Sequence, residues 1–343
     1  MADALHKLGV AHWWNGDYAM AEEKYQRSLD LRLRLHKGDD AEVALSLTHL
    51  AACRLRLGKL DESRELYQRA LDIRQRLYRG VNNGDHEEIA QALNALAKCF
   101  LEGQQYARAE DLFRQALEMI RRLRGDSFEG TAATSQNLGD CLLRRYEAAV
   151  LAGETPEPGV AGAAAEAMER ALAIRKAIYP DGHHLVAASM IGLSRAELTL
   201  GDRGRALELA TSGLKMYRDK RRSDHPEYAE ALRALAASQR AMGDHVAAAR
   251  SLEDALGVAV AARPPAPGQV TRIQGELARA LIGAGDRSRA AVLLIEAFRA
   301  LRSSGAARAS EARQLAAELA EFYTGGDRED LAQPFRAYLA GQP

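Results

Sequence analysis

Aromatic residues are scarce in this sequence: they fill 6% of its 343 positions, while apolar residues as a whole fill 47%. Burial must therefore be spread thinly over many alanines and leucines, which points to helices and leaves little material for strands. Net charge is also missing, because 47 basic residues balance 47 acidic ones. No overall field draws the chain to nucleic acid or to an anionic membrane, so neither is expected as a partner. No apolar run approaches the roughly 18 residues of a membrane span, and the N-terminus lacks the charged and apolar regions of a secretory signal. A cytoplasmic location is the expectation. The three cysteines form no CxxC pair, and HExxH, phosphate-loop, GxGxxG and GxSxG motifs are absent. The reading is of a protein that is not an enzyme, with no catalytic residues, no cofactor and no metal site.

What the sequence has instead is a period. Ala21, Ser63, Ala109, Ala164, Ala206, Ala248 and Ala290 open one recurring phrase at intervals of 42, 46, 55, 42, 42 and 42 residues. Self-similarity on this scale is the mark of a stacked array in which each unit buries its apolar face against the next. Every unit has two helical stretches. The first carries a large residue followed by a small one, as in Leu8-Gly9, Leu50-Ala51, Leu96-Ala97, Leu138-Gly139 and Leu277-Ala278. A turn follows, as in Gly16-Asp17, Gly58-Lys59, Gly201-Asp202, Gly243-Asp244 and Gly285-Asp286, where glycine supplies the left-handed conformation that ends a helix. The second stretch repeats small, large and small residues at i, i+4 and i+7, as in Ala21, Tyr25 and Ser28 or Ala109, Phe113 and Ala116, which is one buried stripe. Cys53, Cys99 and Cys141 follow the same spacing and read as small buried residues in one equivalent slot rather than as a metal or redox set.

The landmarks Leu8-Gly9, Gly16-Asp17-Tyr18, Ala21, Tyr25 and Ser28-Leu29 resemble the tetratricopeptide repeat. The 42-residue period, the phrases Leu29-Asp30-Leu31-Arg32, Leu71-Asp72-Ile73-Arg74 and Leu172-Ala173-Ile174-Arg175, and the loop Ser223-Asp224-His225-Pro226 are similar to the kinesin light chain variety of that repeat. The resemblance implies an all-α fold, a right-handed superhelical solenoid of antiparallel helix pairs. Residues 1–310 are expected to hold about seven pairs, with an insertion at 146–162 carrying Gly153, Pro156, Pro158 and Gly159. Such a loop reads as a tolerated surface insertion or as a contact element for a partner. Residues 311–343, with Gly325-Gly326-Asp327 and Pro334, read as a degenerate closing unit. Unit one has no comparable cap, so the chain reads as a piece of a longer protein.

In arrays of this resemblance the first helix of each unit lines a concave surface. Mapped onto this sequence, that surface holds His6, Val10, Trp13 and Trp14, then Thr48, Ala52 and Arg56, then Asn94, Lys98 and Glu102, then Gln136, Asp140 and Arg144, and finally Arg195, Arg233, Arg240 and Arg279. The candidate peptide-binding residues are Arg56, Asn94, Lys98, Gln136, Asp140, Arg144, Arg195, Arg233, Arg240 and Arg279, with Trp13 and Trp14 as apolar contacts or as a surface for self-association through the N-terminal end. Amides bond a peptide backbone and arginine forks onto carboxylates, so an acidic protein or peptide segment is the expected partner. The competing reading is a solvated helix face whose arginines are neutralised by acids such as Asp140 and Glu102. The Lys, Asn, Asn, Lys, Arg arrangement of the carboxylate-clamp subclass is not reproduced, so capture of a free C-terminus is not expected. Two functions follow: a scaffold holding a partner segment in its groove, or a sensory or autoinhibitory region of a larger signalling protein whose curvature changes on binding. The histidines His86 and His183-His184 read as helix caps, and the run Lys220-Arg221-Arg222 as a solvated helix end.

Overall fold

A computed structural model describes residues 1–36, 38–219, 226–262, 267–303, 309–324 and 328–341. These residues are helical throughout, with no strand among them, and two compact units divide at Gly201. The basic run 220–222, the loop 223–225 and the turn 325–327 lie outside the described residues.

The first unit contains α1 (Ala2–Trp14), α2 (Tyr18–Leu35), α3 (Ala41–Arg56), α4 (Leu60–Leu77), α5 (Glu87–Glu102), α6 (Tyr106–Arg124), α7 (Glu129–Leu151), α8 (Val160–Ile178) and α9 (His184–Leu200), with a 3-10 turn at Asn82–Gly84. The second contains α10 (Arg203–Asp219), α11 (Pro226–Ala241), α12 (His245–Ala261), α13 (Pro267–Gly283), α14 (Arg287–Ser303), α15 (Ala309–Thr324) and α16 (Glu329–Leu339). Within each unit, consecutive helices joined by short turns pack along their lengths as antiparallel pairs. The turns take the shape expected of glycine: Gly16, Gly58, Gly243 and Gly285 have φ between +78° and +88°. In the third repeat Gln104 holds the same left-handed place with φ +59°, a conformation a side chain adopts only at a cost.

Packing follows the stripe. All seven phrase-opening residues, Ala21 to Ala290, are 0% exposed. Their i+4 partners Tyr25, Tyr67, Phe113, Met168, Ala210, Leu252 and Leu294 are buried as well. Small residues at one level let the facing helix approach, and the large residue one turn on fills the space beside it. Cys53, Cys99 and Cys141 are buried free thiols. The Cys141 Sγ lies 3.5 Å from the carbonyl oxygen of Tyr106, and burial pushes the Cys53 and Cys141 thiols up to about 12, so neither is a nucleophile at neutral pH.

The stripe does not end at i+7. Arg32, Arg74 and Arg175 each stand eleven residues after their phrase-opener, at 5% exposure or less, and each ties three helices together. Arg32 of α2 reaches Asp3 of α1 at 2.7 Å and Ser46 of α3 at 2.6 Å. Arg74 of α4 reaches Thr48 of α3 at 3.1 Å and Glu88 of α5 at 3.3 Å. Arg175 of α8 bonds Glu129 of α7 at 3.1 Å, Ser189 of α9 at 2.9 Å and the Gln136 side-chain oxygen. A guanidinium has five donors in a fixed plane, so it can serve both neighbours of its own helix.

In the second unit α15 and α16 pack as a pair, with Pro334 inside α16. Phe335 and Tyr338 meet Phe298 of α14 edge-on at 5.4 and 5.1 Å between ring centres.

Candidate functional site

In the first unit α3 touches α5, α5 touches α7 and α7 touches α9, while α2, α4, α6 and α8 make no comparable contacts with one another. The first helices are thus the more closely spaced layer of this unit. Positions two residues after the large member of each large-small pair lie along this layer as Val10, Ala52, Lys98, Asp140 and Arg195, and positions six residues after it as Trp14, Arg56, Glu102 and Arg144.

These side chains form a ladder of opposite charges. Arg144 donates to Glu102 at 3.0 Å, one repeat back. Arg195 donates to Asp140 at 3.1 Å and reaches Glu147 at 3.5 Å. In the second unit Arg233 grips Glu276 and Glu230, and Arg279 bonds Glu318 at 2.7 and 3.1 Å. Burial alone would lower the Arg233 guanidinium, but its two glutamates hold it above the ordinary value, and its side chain is only 14% exposed. These four arginines are committed within the fold. Two of the acids that hold them, Asp140 and Glu102, were readable in the sequence as groove acids.

The amides are committed too. Gln136 accepts from Arg175 and from Ser189, the latter at 3.2 Å. Asn94 donates to Thr134 at 2.9 Å and to the Ala90 carbonyl. His6, read as lining the groove, is instead buried, with its Nε2 3.1 Å from His49 Nδ1 and its ring edge-on to Tyr25. Trp13 packs on Tyr18 at 5.0 Å between ring centres, and Trp14 is 79% exposed.

Three candidate cations have no carboxylate partner among the described residues. Arg240 stands exposed at the end of α11 in the second unit. Arg56 and Lys98 are exposed on the adjacent helices α3 and α5 of the first. Arg56 lacks the partner its counterpart Arg144 has, because one repeat back from Arg56 stands Trp14, whereas one repeat back from Arg144 stands Glu102. Lys98 reaches solvent yet is walled in by neighbouring helices. Desolvation pushes its ammonium below the ordinary value, Asp140 pulls the other way, and Arg56 adds to the depression. The first-helix face of this unit therefore carries two neighbouring cations that no ion pair holds, Lys98 within the field of Asp140, bordered by paired charges on one side and by Val10, Ala52 and the tryptophans on the other.

The histidines between repeats are caps. His86 Nδ1 accepts from the Glu88 amide at 3.2 Å and His183 Nδ1 from the Leu185 amide at 3.3 Å. Each ring also stacks on a tyrosine, Tyr78 and Tyr179 respectively. No helix among the described residues is long and apolar enough to cross a membrane.

Residues 1–76, 75–122 and 88–155 match the tetratricopeptide repeat. No curated protein matches the sequence. Among solved structures the same fold occurs in the apo form of RapI, at 15% identity and a TM-score of 0.65 over 88% of this chain and 99% of that one. It occurs in a Rap protein complexed with competence and sporulation factor, at 13% identity and a TM-score of 0.61 over 99% and 96%. It also occurs in the Rap conjugation gene regulator of the plasmid pLS20 in complex with the Phr* peptide, at 14% identity and a TM-score of 0.60 over 86% and 72%. At these identities the likeness is one of fold.

Proposed function

We propose that this tetratricopeptide-repeat protein is a non-catalytic scaffold that holds an extended or helical segment of a partner protein along the first-helix face of residues 1–200. The repeat is generally a non-enzymatic scaffold, and its side chains here are spent on holding helices together rather than on arranging a reactive centre. The reading rests above all on Arg56 and Lys98, adjacent exposed cations without carboxylate partners among the described residues, one of them already pushed toward its neutral form. A carboxylate from a partner relieves that repulsion and gains a charge-assisted bond in a partly desolvated site. Exposed Trp14 and half-buried Trp13 and Val10 offer apolar area beside it. Two Rap proteins of this fold are solved with a peptide or factor bound, which supports a peptide segment as the occupant.

The arginines paired along the ladder set the direction of the bound segment less than they stiffen the face. Charge reversal at Arg195 or Arg233 would break ion pairs within the fold as well as any partner contact. Arg56→Glu combined with Lys98→Glu is the cleaner test, because neither residue has an ion pair to lose among the described residues. Partners captured from native lysate by the intact chain should be lost, about tenfold or more in retained amount for a charge-assisted contact removed and reversed. The melting temperature, measured alongside, should fall by no more than a few degrees, since Arg56 is exposed and Lys98, though walled in by neighbouring helices, holds no ion pair. Unchanged capture would reject this face.

A further inference from the structure

The fourth repeat carries extra residues whose structure the repeat itself does not explain. Helices α3 and α5 end at Arg56 and Glu102, whereas α7 runs past the equivalent Arg144 to Leu151. Gly153 and Gly159, with φ +72° and +85°, then reverse the chain so that the loop lies back against the start of α6. Arg145 fastens it, bonding Glu157 of the loop and, at 2.8 Å, Glu110 of α6. Between loop and helices lies a cavity of about 390 Å³ lined by Tyr106, Arg145, Tyr146, Glu154, Pro156 and Glu157 among others, within the range of about 300–1,000 Å³ typical of ligand pockets.

The lining selects a class of occupant. Two phenol rings and a proline give flat apolar walls, and aromatic faces attract cations. The formal charges are two carboxylates against one guanidinium, and that guanidinium is already held by Glu157 and Glu110. Glu154 has no partner among the described residues, nor do the hydroxyls of Tyr106, Tyr146 and Thr155. An anion would be repelled, and an apolar side chain would strip water from Glu154 and return nothing. A planar guanidinium can stack on a tyrosine face and donate to carboxylate and hydroxyl oxygens in its own plane. The pocket adjoins the first-helix face: Tyr106 feels the charges of Arg144, Glu147 and Glu102, and Arg195 reaches Glu147 on the extension of α7 at 3.5 Å.

We propose that the insertion forms a pocket for an arginine side chain of the bound partner segment. The proposal rests on the reading that the chain holds such a segment, and a small probe separates the two. The full chain, with its tyrosine rings labelled for NMR, is titrated with N-acetylarginine methylamide and, in parallel, with N-acetylnorleucine methylamide. Saturable shifts of two tyrosine signals, assigned by Tyr106→Phe and Tyr146→Phe, are expected with the arginine probe and not with the norleucine probe. Glu154→Gln lies on an exposed loop, should leave the melting temperature unchanged, and should weaken the probe about threefold, the size of one exposed ion pair. The double reversal at Arg56 and Lys98 should leave probe binding intact while abolishing partner capture. Equal shifts from both probes, no shifts, or full-strength binding in Glu154→Gln would overturn the pocket. Capture that still depends on Arg56 and Lys98 would in that case leave the scaffold reading standing.

Discussion

At the scale of single residues, the stripe that buries small and large apolar groups also buries charge. Arg32, Arg74 and Arg175 continue the i, i+4, i+7 series to i+11, so their burial could have been deduced from spacing alone. Their targets could not, because Asp3, Ser46, Glu88, Glu129 and Ser189 lie on other helices. His49 is a half-buried polar group that periodicity did not single out. It stacks on Tyr25, and burial, with His6, Arg74 and Arg32 adding to it, lowers the imidazole to about 4. Because the folded value lies below the ordinary 6.5, the unfolded chain takes up the proton first as pH falls. The stabilising contribution of neutral His49 is complete above about pH 6.5 and is lost on descent toward pH 4. Urea midpoints should show the parent losing about 2 kcal/mol more between pH 7.5 and 5 than His49→Phe, which cannot titrate but keeps the ring stack. Equal losses would contradict the assignment. Gly139 offers a steric test: a Cβ there would stand 2.7 Å from Met168 Cγ and 3.1 Å from the Ala164 carbonyl oxygen. Gly139→Ala should therefore lose about 1–3 kcal/mol by overpacking, measured by the same denaturation.

At the scale of elements, helix positions were readable because small residues, glycine turns and the 42-residue period all agree. Ala21 to Ala290 set the second helices, and Gly16, Gly58, Gly243 and Gly285 end the first ones. The third turn was less visible because Gln104 takes the left-handed place of the glycine. The existence of a loop before α8 followed from the insertion, with its glycines and prolines. The return of that loop onto α6 did not, since it depends on Arg145 finding Glu110 and Glu157 at once. Buried and exposed arginines bridging elements should differ sharply in worth. Arg175→Met strands Glu129, Gln136 and Ser189 in a buried junction of three helices and should cost about 3 kcal/mol. Arg122→Met breaks a bidentate pair with Asp85 at 2.6 and 2.9 Å, but the arginine side chain is 54% exposed, so the loss should stay under about 1 kcal/mol. Chemical denaturation of the two variants checks the contrast, and similar losses would contradict it.

At the scale of the whole molecule, a repeat makes the same face available many times, and function depends on where the copies differ. The candidate residues were found by that logic, yet the sequence could not say which charges were already answered. Arg144, Arg195, Arg233 and Arg279 find acids 39 to 55 residues away, separations that only the stacking of repeats brings together. Arg56 and Lys98 stand apart because the equivalent residues one repeat back are Trp14 and Ala52, neither of them an acid. The central claim is that a partner segment lies on the first-helix face of the first unit. Hydrogen exchange of the full chain with and without a captured partner peptide tests it most directly. Slowed exchange confined to α3, α5 and α7 and the loop at 152–159 is the predicted result. Protection on α2, α4 and α6, with α3, α5 and α7 unchanged, would contradict it.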